Sequence, residues 1–184
     1  MAIFAIWGDY YRSKWAGPQL TLLLKNPCGD LFPRGDGKRA YYFHLKIKNK
    51  RDWSPAKDVR VLIERAARPR PDGSFVLEPL AYPLPLAWTP SELKDFQRTV
   101  FDSETCDVGF LTEGTDRFKL STIFTASNFR DYVTANDALR LRVVASGRNA
   151  ASKPLFLEIR WNGNWSADKD EMRNYLVVKE IETL

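Results

Sequence analysis

The chain contains only one histidine, His44, and only two cysteines, Cys28 and Cys106, among its 184 residues. The four-ligand cysteine and histidine zinc sites cannot be assembled from so few residues. Two distant cysteines do not form a disulfide framework. A single bridge between them is one alternative, and we favour the other, two reduced and partly buried thiols in a reducing compartment. The sequence also lacks a P-loop, a G-x-S-x-G turn and a dinucleotide-binding glycine pattern. We therefore predict no catalytic residues, no metal, no cofactor and no enzyme activity.

Long apolar runs are missing as well. The apolar run at residues 2–7 is far shorter than the roughly 20 residues that cross a bilayer, and it has no signal-peptide flank. Tryptophan, tyrosine and basic residues follow it, as they do where a transmembrane helix leaves the membrane on the cytoplasmic side. In one interpretation, residues 1–18 contain the last turns of a transmembrane helix, and the rest of that helix lies upstream of Met1. In the other, they form an amphipathic helix or a first strand that packs on the domain itself.

The net charge of +5 is unevenly distributed along the chain. Residues 1–70 contain 15 lysines and arginines against 6 acidic residues, whereas residues 71–184 contain 13 against 17. A basic first part favours phosphate-rich partners such as nucleic acid or anionic lipid. If strands from both parts interleave, the asymmetry cancels on the surface, and we favour this second interpretation.

The clearest strand pattern spans residues 41–48. The apolar positions are Tyr41, Phe43, Leu45 and Ile47, and the positions between them are Tyr42, His44, Lys46 and Lys48. A period of two places one face in the core and the other in water, so we expect His44 to be a surface residue. Similar patterns predict strands near residues 59–63, 107–111, 117–126, 139–145, 155–161 and 175–181.

Proline crowds the middle third of the chain and restricts residues 75–77 and 82–86 to short or edge strands. Thr89 followed by Pro90 and Glu92 predicts a helix of about two turns that ends near Arg98. Asp168 is expected to cap one further short helical turn.

About nine short strands separated by turn signals, with little helix, predict an all-β fold. The specific prediction is one immunoglobulin-like β-sandwich over residues 19–184, with one or two short helices, preceded by the N-terminal segment 1–18.

The runs at residues 42–49 and 54–61 resemble the core hairpin of bacterial immunoglobulin-like domains of the CARDB-like kind. In that hairpin an extended strand ends in asparagine, a polar turn follows, and the next strand opens with a small residue, as Asn49 and Ala56 do here. The likeness covers about 25 residues and implies a fold rather than an activity. Domains of this family usually serve as interaction or spacer modules beside a membrane or within a larger chain.

Tryptophans outside the strand patterns are the candidate binding residues. Trp53 lies in a loop with Lys50 and Arg51, and Trp165 follows the Asn162-Gly163 turn. Loop tryptophans anchor protein partners or stack on sugars, although they more often plug the open end of a sandwich. We predict a binding surface formed by Lys50, Arg51, Trp53 and Trp165.

Two functional classes follow from these features. The first is a non-catalytic interaction or sensing module with a protein partner, placed in the cytoplasm and tethered to the membrane through an upstream span. The second is a domain that binds carbohydrate or nucleic acid, for which exposed aromatic faces or a basic face would respectively be required.

Overall fold

The computed structural model describes residues 17–90 and 95–184, so the N-terminal segment up to residue 16 lies outside the described part. In chain order the elements are β1 (Leu20–Leu24), β2 (Asp30–Pro33), β3 (Arg39–Asn49), β4 (Ala56–Pro69), β5 (Phe75–Glu78), β6 (Leu84–Pro85), β7 (Arg98–Val100), β8 (Ser103–Thr112), β9 (Arg117–Leu120), β10 (Tyr132–Thr134), β11 (Asp137–Ser146), β12 (Leu155–Trp161), α1 (Lys169–Tyr175) and β13 (Leu176–Ile181).

The strands form two antiparallel sheets, which confirms the prediction of an all-β sandwich. The first sheet has the order β1-β3-β8-β9-β10, with β2 also paired to β3. The second sheet has the order β13-β12-β11-β4-β5, and the short strands β6 and β7 also pair with β4. Strands from both halves of the chain therefore neighbour each other in each sheet.

The core lies between the two sheets and is filled by the inward phase of the longest strands. In β3 the apolar positions of the alternating pattern are all buried, as predicted. The largest fully buried side chains include Tyr41, Phe43, Trp88, Phe118 and Trp161. Removing such side chains from water supplies most of the favourable free energy of folding, at about 25 cal/mol per Å² of apolar area.

A bulge interrupts the pairing of β3 with β8. Phe43 lies opposite Gly109, but His44 lies opposite Asp107, so Val108 is an extra residue on β8. Such bulges bend a strand and redirect its side chains. Here the bulge sets Asp107 directly beside His44 on the outer face of the first sheet.

Residues 84–89 connect the two sheets. The Leu86 N–H donates to the Val61 carbonyl in the second sheet, whereas the Ala87 and Thr89 N–H groups donate to Ser121 and Thr105 on the first-sheet side. The intervening Trp88 points into the core and is almost fully buried.

The proline-rich region departs from two sequence expectations. The helix predicted from Thr89 to Arg98 includes residues 91–94, which lie outside the described part, but residues 95–97 are not helical and Arg98 opens β7. The strand predicted over 117–126 ends at Leu120, and Phe124 lies exposed in the following loop. The alternating pattern was misleading there because the backbone of residues 121–123 does not continue β9. It forms hydrogen bonds with the backbone of residues 85–87 and of Val108 instead.

The short helix near the C-terminus is confirmed. The Asp168 carboxylate accepts hydrogen bonds from the N–H groups of Asp170 and Glu171, and α1 begins at Lys169. Among the described residues, no helix has the length and apolar character needed to cross a membrane.

Candidate functional site

Three of the four predicted binding residues share one loop. Lys50, Arg51 and Trp53 lie between β3 and β4, and the Trp53 side chain is 71% exposed. The buried amide of Asn49 organises this loop by donating to the carbonyls of Arg51 and Ser54. The Arg51 guanidinium donates to the Gly17 carbonyl at 2.9 Å, so this arginine ties down the chain that enters β1.

Trp165 lies elsewhere. It packs edge-on against Tyr41, near the start of β3, and beneath the Arg39 guanidinium, which lies 4.9 Å from its ring centroid. Asn49 lies eight positions after Tyr41 along β3, which corresponds to about 26 Å of extended strand. Trp165 therefore does not join the Lys50–Trp53 loop in one surface, and binding by that loop stays a prediction.

His44, expected at the surface, is instead buried with 7% of its area exposed. Its Nδ1 atom lies 2.8 Å from Oδ1 of Asp107, which is also buried. The expectation was wrong because the bulge places Asp107 beside His44 and because the segment 84–89 brings Thr89 next to both. The Thr89 hydroxyl donates to the same Asp107 oxygen at 2.5 Å.

This bonding fixes the role of one imidazole nitrogen. An ionised carboxylate only accepts hydrogen bonds, so Nδ1 of His44 carries a proton and donates to Asp107. Within the described residues Nε2 makes no hydrogen bond, and Oδ2 of Asp30 lies 3.8 Å from it. Asp30 is itself held by the Asn26 amide, which donates to its Oδ1 at 2.9 Å.

An aromatic row lies beside His44 on the same outer face. Tyr42 stacks against Phe110 with ring centroids 5.5 Å apart, and Phe32 meets Tyr42 edge-on at 6.1 Å. Arg34 extends over this row, because its guanidinium lies 5.7 Å from the Phe110 centroid and donates to the Tyr42 hydroxyl at 3.3 Å.

Arg34 reaches this position through the tight turn that follows β2. The Lys38 carbonyl accepts from the Arg34 N–H, and the Asp36 carboxylate accepts from the Lys38 N–H. Gly37 has a φ of 78°, which a side chain would strain, so the Asp36-Gly37 sequence favours this turn.

Together these groups line a groove of about 410 Å³ on the outer face of the first sheet. Tyr42 and His44 form its floor, and the loop 33–35 and the Thr89-Pro90 pair form its walls. Its lining residues are Phe32, Pro33, Arg34, Gly35, Tyr42, His44, Thr89 and Pro90. This volume lies within the range of about 300–1,000 Å³ that is usual for small-molecule sites.

The groove presents hydrogen-bonding groups and aromatic faces rather than a nucleophile. Its described lining contains no serine, cysteine or lysine side chain. The nearby Cys106 points into the core, where burial raises the pKa of its thiol well above the ordinary value. No cluster of three or more potential metal ligands occurs among the residues that the structure describes.

Sequence reasoning missed this groove. The strand pattern identified His44 and the turn signal identified Asp36-Gly37, but nothing in the sequence indicated that Thr89 and Asp107 would meet them. The pairing depends on a bulge and on a crossing segment that are set by contacts distant in sequence.

A second exposed cluster, which we call the aromatic surface, comprises Tyr82, Phe96, Phe124 and Arg60. The Phe124 ring lies 5.7 Å from Tyr82 and 6.5 Å from Phe96, and the Arg60 guanidinium lies 4.4 Å from the Phe96 centroid. All three aromatic side chains are exposed.

The fold and the groove define the protein as an antiparallel two-sheet β-sandwich with a ligand-sized groove on the outer face of one sheet. Comparison with protein-family models, curated proteins and solved structures found no match to this chain.

Proposed function

We propose that the chain is a non-catalytic binding module whose ligand occupies the groove above Tyr42 and His44. The observation that carries the proposal is a ligand-sized groove in which the aromatic side chains of Phe32 and Tyr42 lie beside Arg34 and the imidazole of His44. Small-molecule sites combine aromatic surface with a few placed polar groups in this way.

Two features of the surroundings support binding rather than catalysis. The second ring nitrogen faces the Asp30 carboxylate, not a hydroxyl or thiol that it could activate. The hydroxyl of Thr89 donates a hydrogen bond to Asp107. It is therefore held by the carboxylate and is not aligned with Nε2.

The single histidine allows a direct test by NMR. A library of small polar and aromatic fragments is titrated into isotope-labelled protein, and the imidazole signals of His44 are followed with the backbone amides. We expect the fragments that bind to shift His44 and its neighbours in a saturable way. Binding that leaves His44 and Tyr42 unmoved for every fragment would contradict the proposed site.

Phe32 and Leu23 provide a matched pair of variants for this titration. Both are apolar residues on the outer face of the first sheet with about half their area exposed, at 50% and 48%, but only Phe32 lines the groove. Phe32→Ala is expected to weaken fragment binding, and Leu23→Ala is expected to leave it unchanged.

The aromatic surface favours a second candidate function, the binding of a protein partner. Exposed aromatic side chains beside an arginine are the composition typical of interface hot spots. A photo-crosslinking amino acid at Phe124 should then give a discrete adduct. The same group at Phe101, which is exposed outside this cluster, should not. Equal labelling at both positions would contradict this candidate.

We further propose an immunoglobulin-like module of the CARDB-like kind, in the cytoplasm and tethered to a membrane. The two antiparallel sheets support the sandwich part of this proposal. The tether rests on the aromatic and basic residues at 7–15 of the sequence, which lie outside the described part. Fractionation of the product of the native gene tests it, because a product found wholly in the supernatant would contradict a tether.

A further inference from the structure

The outer face of the second sheet carries a cluster of basic side chains. Leu139, Leu141 and Val143 of β11 lie in the core. The alternation of the strand therefore turns Arg140 and Arg142 to the outer face. The neighbouring strands β4, β12 and β13 add further cations to this face by the same alternation. The set, which we call the basic face, comprises Arg60, Arg65, Arg140, Arg142, Arg160 and Lys179.

The basic face holds the excess positive charge of the described chain. Residues 17–90 and 95–184 contain 25 lysines and arginines and 21 acidic residues. The carboxylates on this face are Glu64 and Glu158, so six cations there stand against two anions. The remainder of the described chain is balanced, with 19 residues of each sign. Charges of one sign gathered on one surface produce a potential that attracts a polyanion.

Two arginines of this face lie directly opposite each other on neighbouring strands. Arg65 of β4 is the register partner of Arg142 of β11, and like charges at such positions destabilise a sheet. A bulge adds Glu64 to β4 at this point, and Glu64 forms an ion pair with Arg142. Arg65 is exposed and makes no hydrogen bond or ion pair with any described residue. Its guanidinium is therefore available to an external anion.

Aromatic side chains are interleaved with these cations. The Arg140 guanidinium lies over Phe75 of β5, 3.8 Å from the ring centroid. Phe156 of β12 is the register partner of Arg142, and both rings are partly exposed. The bases of a single-stranded nucleic acid stack on aromatic rings and on guanidinium planes, while its phosphates contact cations. The basic face offers both kinds of contact on one surface.

The dimensions of the basic face disfavour a duplex as its ligand. Arg65 and Lys179 lie on strands that are three inter-strand spacings apart, which corresponds to about 14 Å across the sheet. Along β11, the positions opposite Arg160 and Arg60 are eight residues apart, which corresponds to about 27 Å. The major groove of DNA admits a helix or a two-stranded ribbon, not a face four strands wide. A single strand can instead lie across the face.

The composition of the basic face disfavours a membrane as its ligand. Five of its six cations are arginines and one is lysine. Anionic lipid surfaces attract lysine and arginine alike. The planar guanidinium, in contrast, binds phosphate through two hydrogen bonds and stacks on flat rings. Arginines interleaved with phenylalanine rings therefore match a ligand that has both phosphates and flat bases.

From the charge excess, the exposed Arg65 and the interleaved rings, we infer that the basic face binds single-stranded nucleic acid. The phosphates contact Arg65, Arg160 and Lys179, whose side chains are exposed. The bases stack on Phe75 and Phe156. This surface lies on the second sheet, whereas the groove lies on the first, so the inference does not rest on the proposed groove ligand.

The test uses the full chain and a fluorescein-labelled oligo-uridine of about 12 nucleotides, a length within the site sizes of single domains. Fluorescence anisotropy measures its binding. We expect saturable binding that weakens as salt is raised, because phosphate contacts release counterions. A mixed-sequence DNA duplex, inorganic polyphosphate and phosphatidylcholine vesicles that contain phosphatidylserine are the competitors. Each is expected to compete more weakly than unlabelled oligo-uridine at equal concentration of phosphate groups.

Arg65→Gln and Arg117→Gln form a matched pair for this measurement. Both remove one positive charge from an exposed strand position, but Arg117 lies on β9 of the first sheet. Arg65→Gln is expected to weaken oligo-uridine binding about 2- to 5-fold, the range for an exposed ion pair. The slope of log affinity against log salt should become shallower by about 0.7, the contribution of one phosphate contact. Arg117→Gln should leave the affinity and the slope unchanged.

Each contrary outcome overturns the inference in a recognisable way. Equal effects of the two substitutions would show that binding follows net charge rather than this face. Stronger competition by vesicles would assign the face to a membrane, and stronger competition by polyphosphate or the duplex would remove the preference for a single strand. Absence of oligo-uridine binding at low salt would overturn the inference outright. The fragment titration of the groove is independent of all these results, so their failure leaves the proposed function standing.

Discussion

The imidazole of His44 and the carboxylate of Asp107 form a hydrogen-bonded pair 2.8 Å apart, and both are buried on the outer face of a sheet, where water normally solvates polar residues. Asp107 also accepts from Thr89, so one carboxylate oxygen joins three segments of the chain. The pair therefore contributes to stability as well as shaping the groove floor.

Asp107→Val should destabilise the fold, because it leaves the His44 and Thr89 donors without their acceptor. The expected loss in the free energy of unfolding is about 1–3 kcal/mol, the usual cost of an unsatisfied buried polar group. Urea unfolding followed by circular dichroism measures it. Thr105→Val, two residues away on the same face of β8, serves as control and should change stability by less than about 0.5 kcal/mol. Equal stability of the two variants would contradict the role of Asp107.

The two cysteines should differ in reactivity. Both are unpaired, but Cys106 is fully buried and Cys28 is only partly buried. Burial raises the pKa of the Cys106 thiol, and the negative charge of Asp107 raises it further, so the reactive thiolate is scarce. We expect a colorimetric thiol reagent to modify Cys28 alone in the native protein and both cysteines in denaturant. Rapid labelling of Cys106 in native buffer would contradict this.

Glu158 should make stability depend on pH. Burial acts to raise its pKa, but the hydrogen bond from Arg140 and the charges of Arg160 and Lys179 outweigh burial and hold the pKa below its ordinary value. Its ionised form therefore stabilises the folded state above the pKa of the unfolded chain, and this stabilisation is lost as pH falls through the folded pKa.

Glu158→Gln tests this dependence. The variant should be less stable than the unaltered chain by about 1 kcal/mol at pH 7, and the difference should shrink in acid. Glu182→Gln, at an exposed position near the C-terminus, is the control and should show no such difference. Denaturant melts across a pH series measure both, and a Glu158→Gln difference that is independent of pH would contradict the assignment.

Gly109→Ala should be poorly tolerated. A Cβ atom at this position would lie 2.4 Å from the Lys119 carbonyl oxygen and 2.7 Å from the Phe118 ring. The strain is expected to cost about 1–3 kcal/mol, as in other overpacked sites. Gly35→Ala is the matched change, because no atom lies within 4 Å of its Cβ position, and its melting temperature should be nearly unaltered. A Gly109→Ala variant as stable as the unaltered chain would show that β9 moves aside freely.

The parts of the structure that depend on local pattern were predictable from sequence. The alternation along β3 placed Tyr41, Phe43, Leu45 and Ile47 in the core, and the side chain of Asp168 caps α1 as its position suggested. Both follow from periods and caps that involve only neighbouring residues.

The candidate site was not predictable in this way. His44 occupies the polar phase of its strand, and burial there required covering segments from elsewhere in the chain. Thr89 and Arg34 come from loops whose paths depend on long-range contacts. A period-two pattern reports the direction of a side chain, but not whether a loop folds over the face to which it points.

The crossing segment at residues 84–89 has a consequence for how this protein can change over evolutionary time. Because its backbone is anchored to both sheets and successive side chains alternate in direction, deletion of a single residue would turn Trp88 away from the core and remove Thr89 from Asp107. Changes in length should therefore accumulate in exposed turns such as residues 70–74. The distance along the chain from Leu84 to Thr89 should stay constant wherever this domain is inherited.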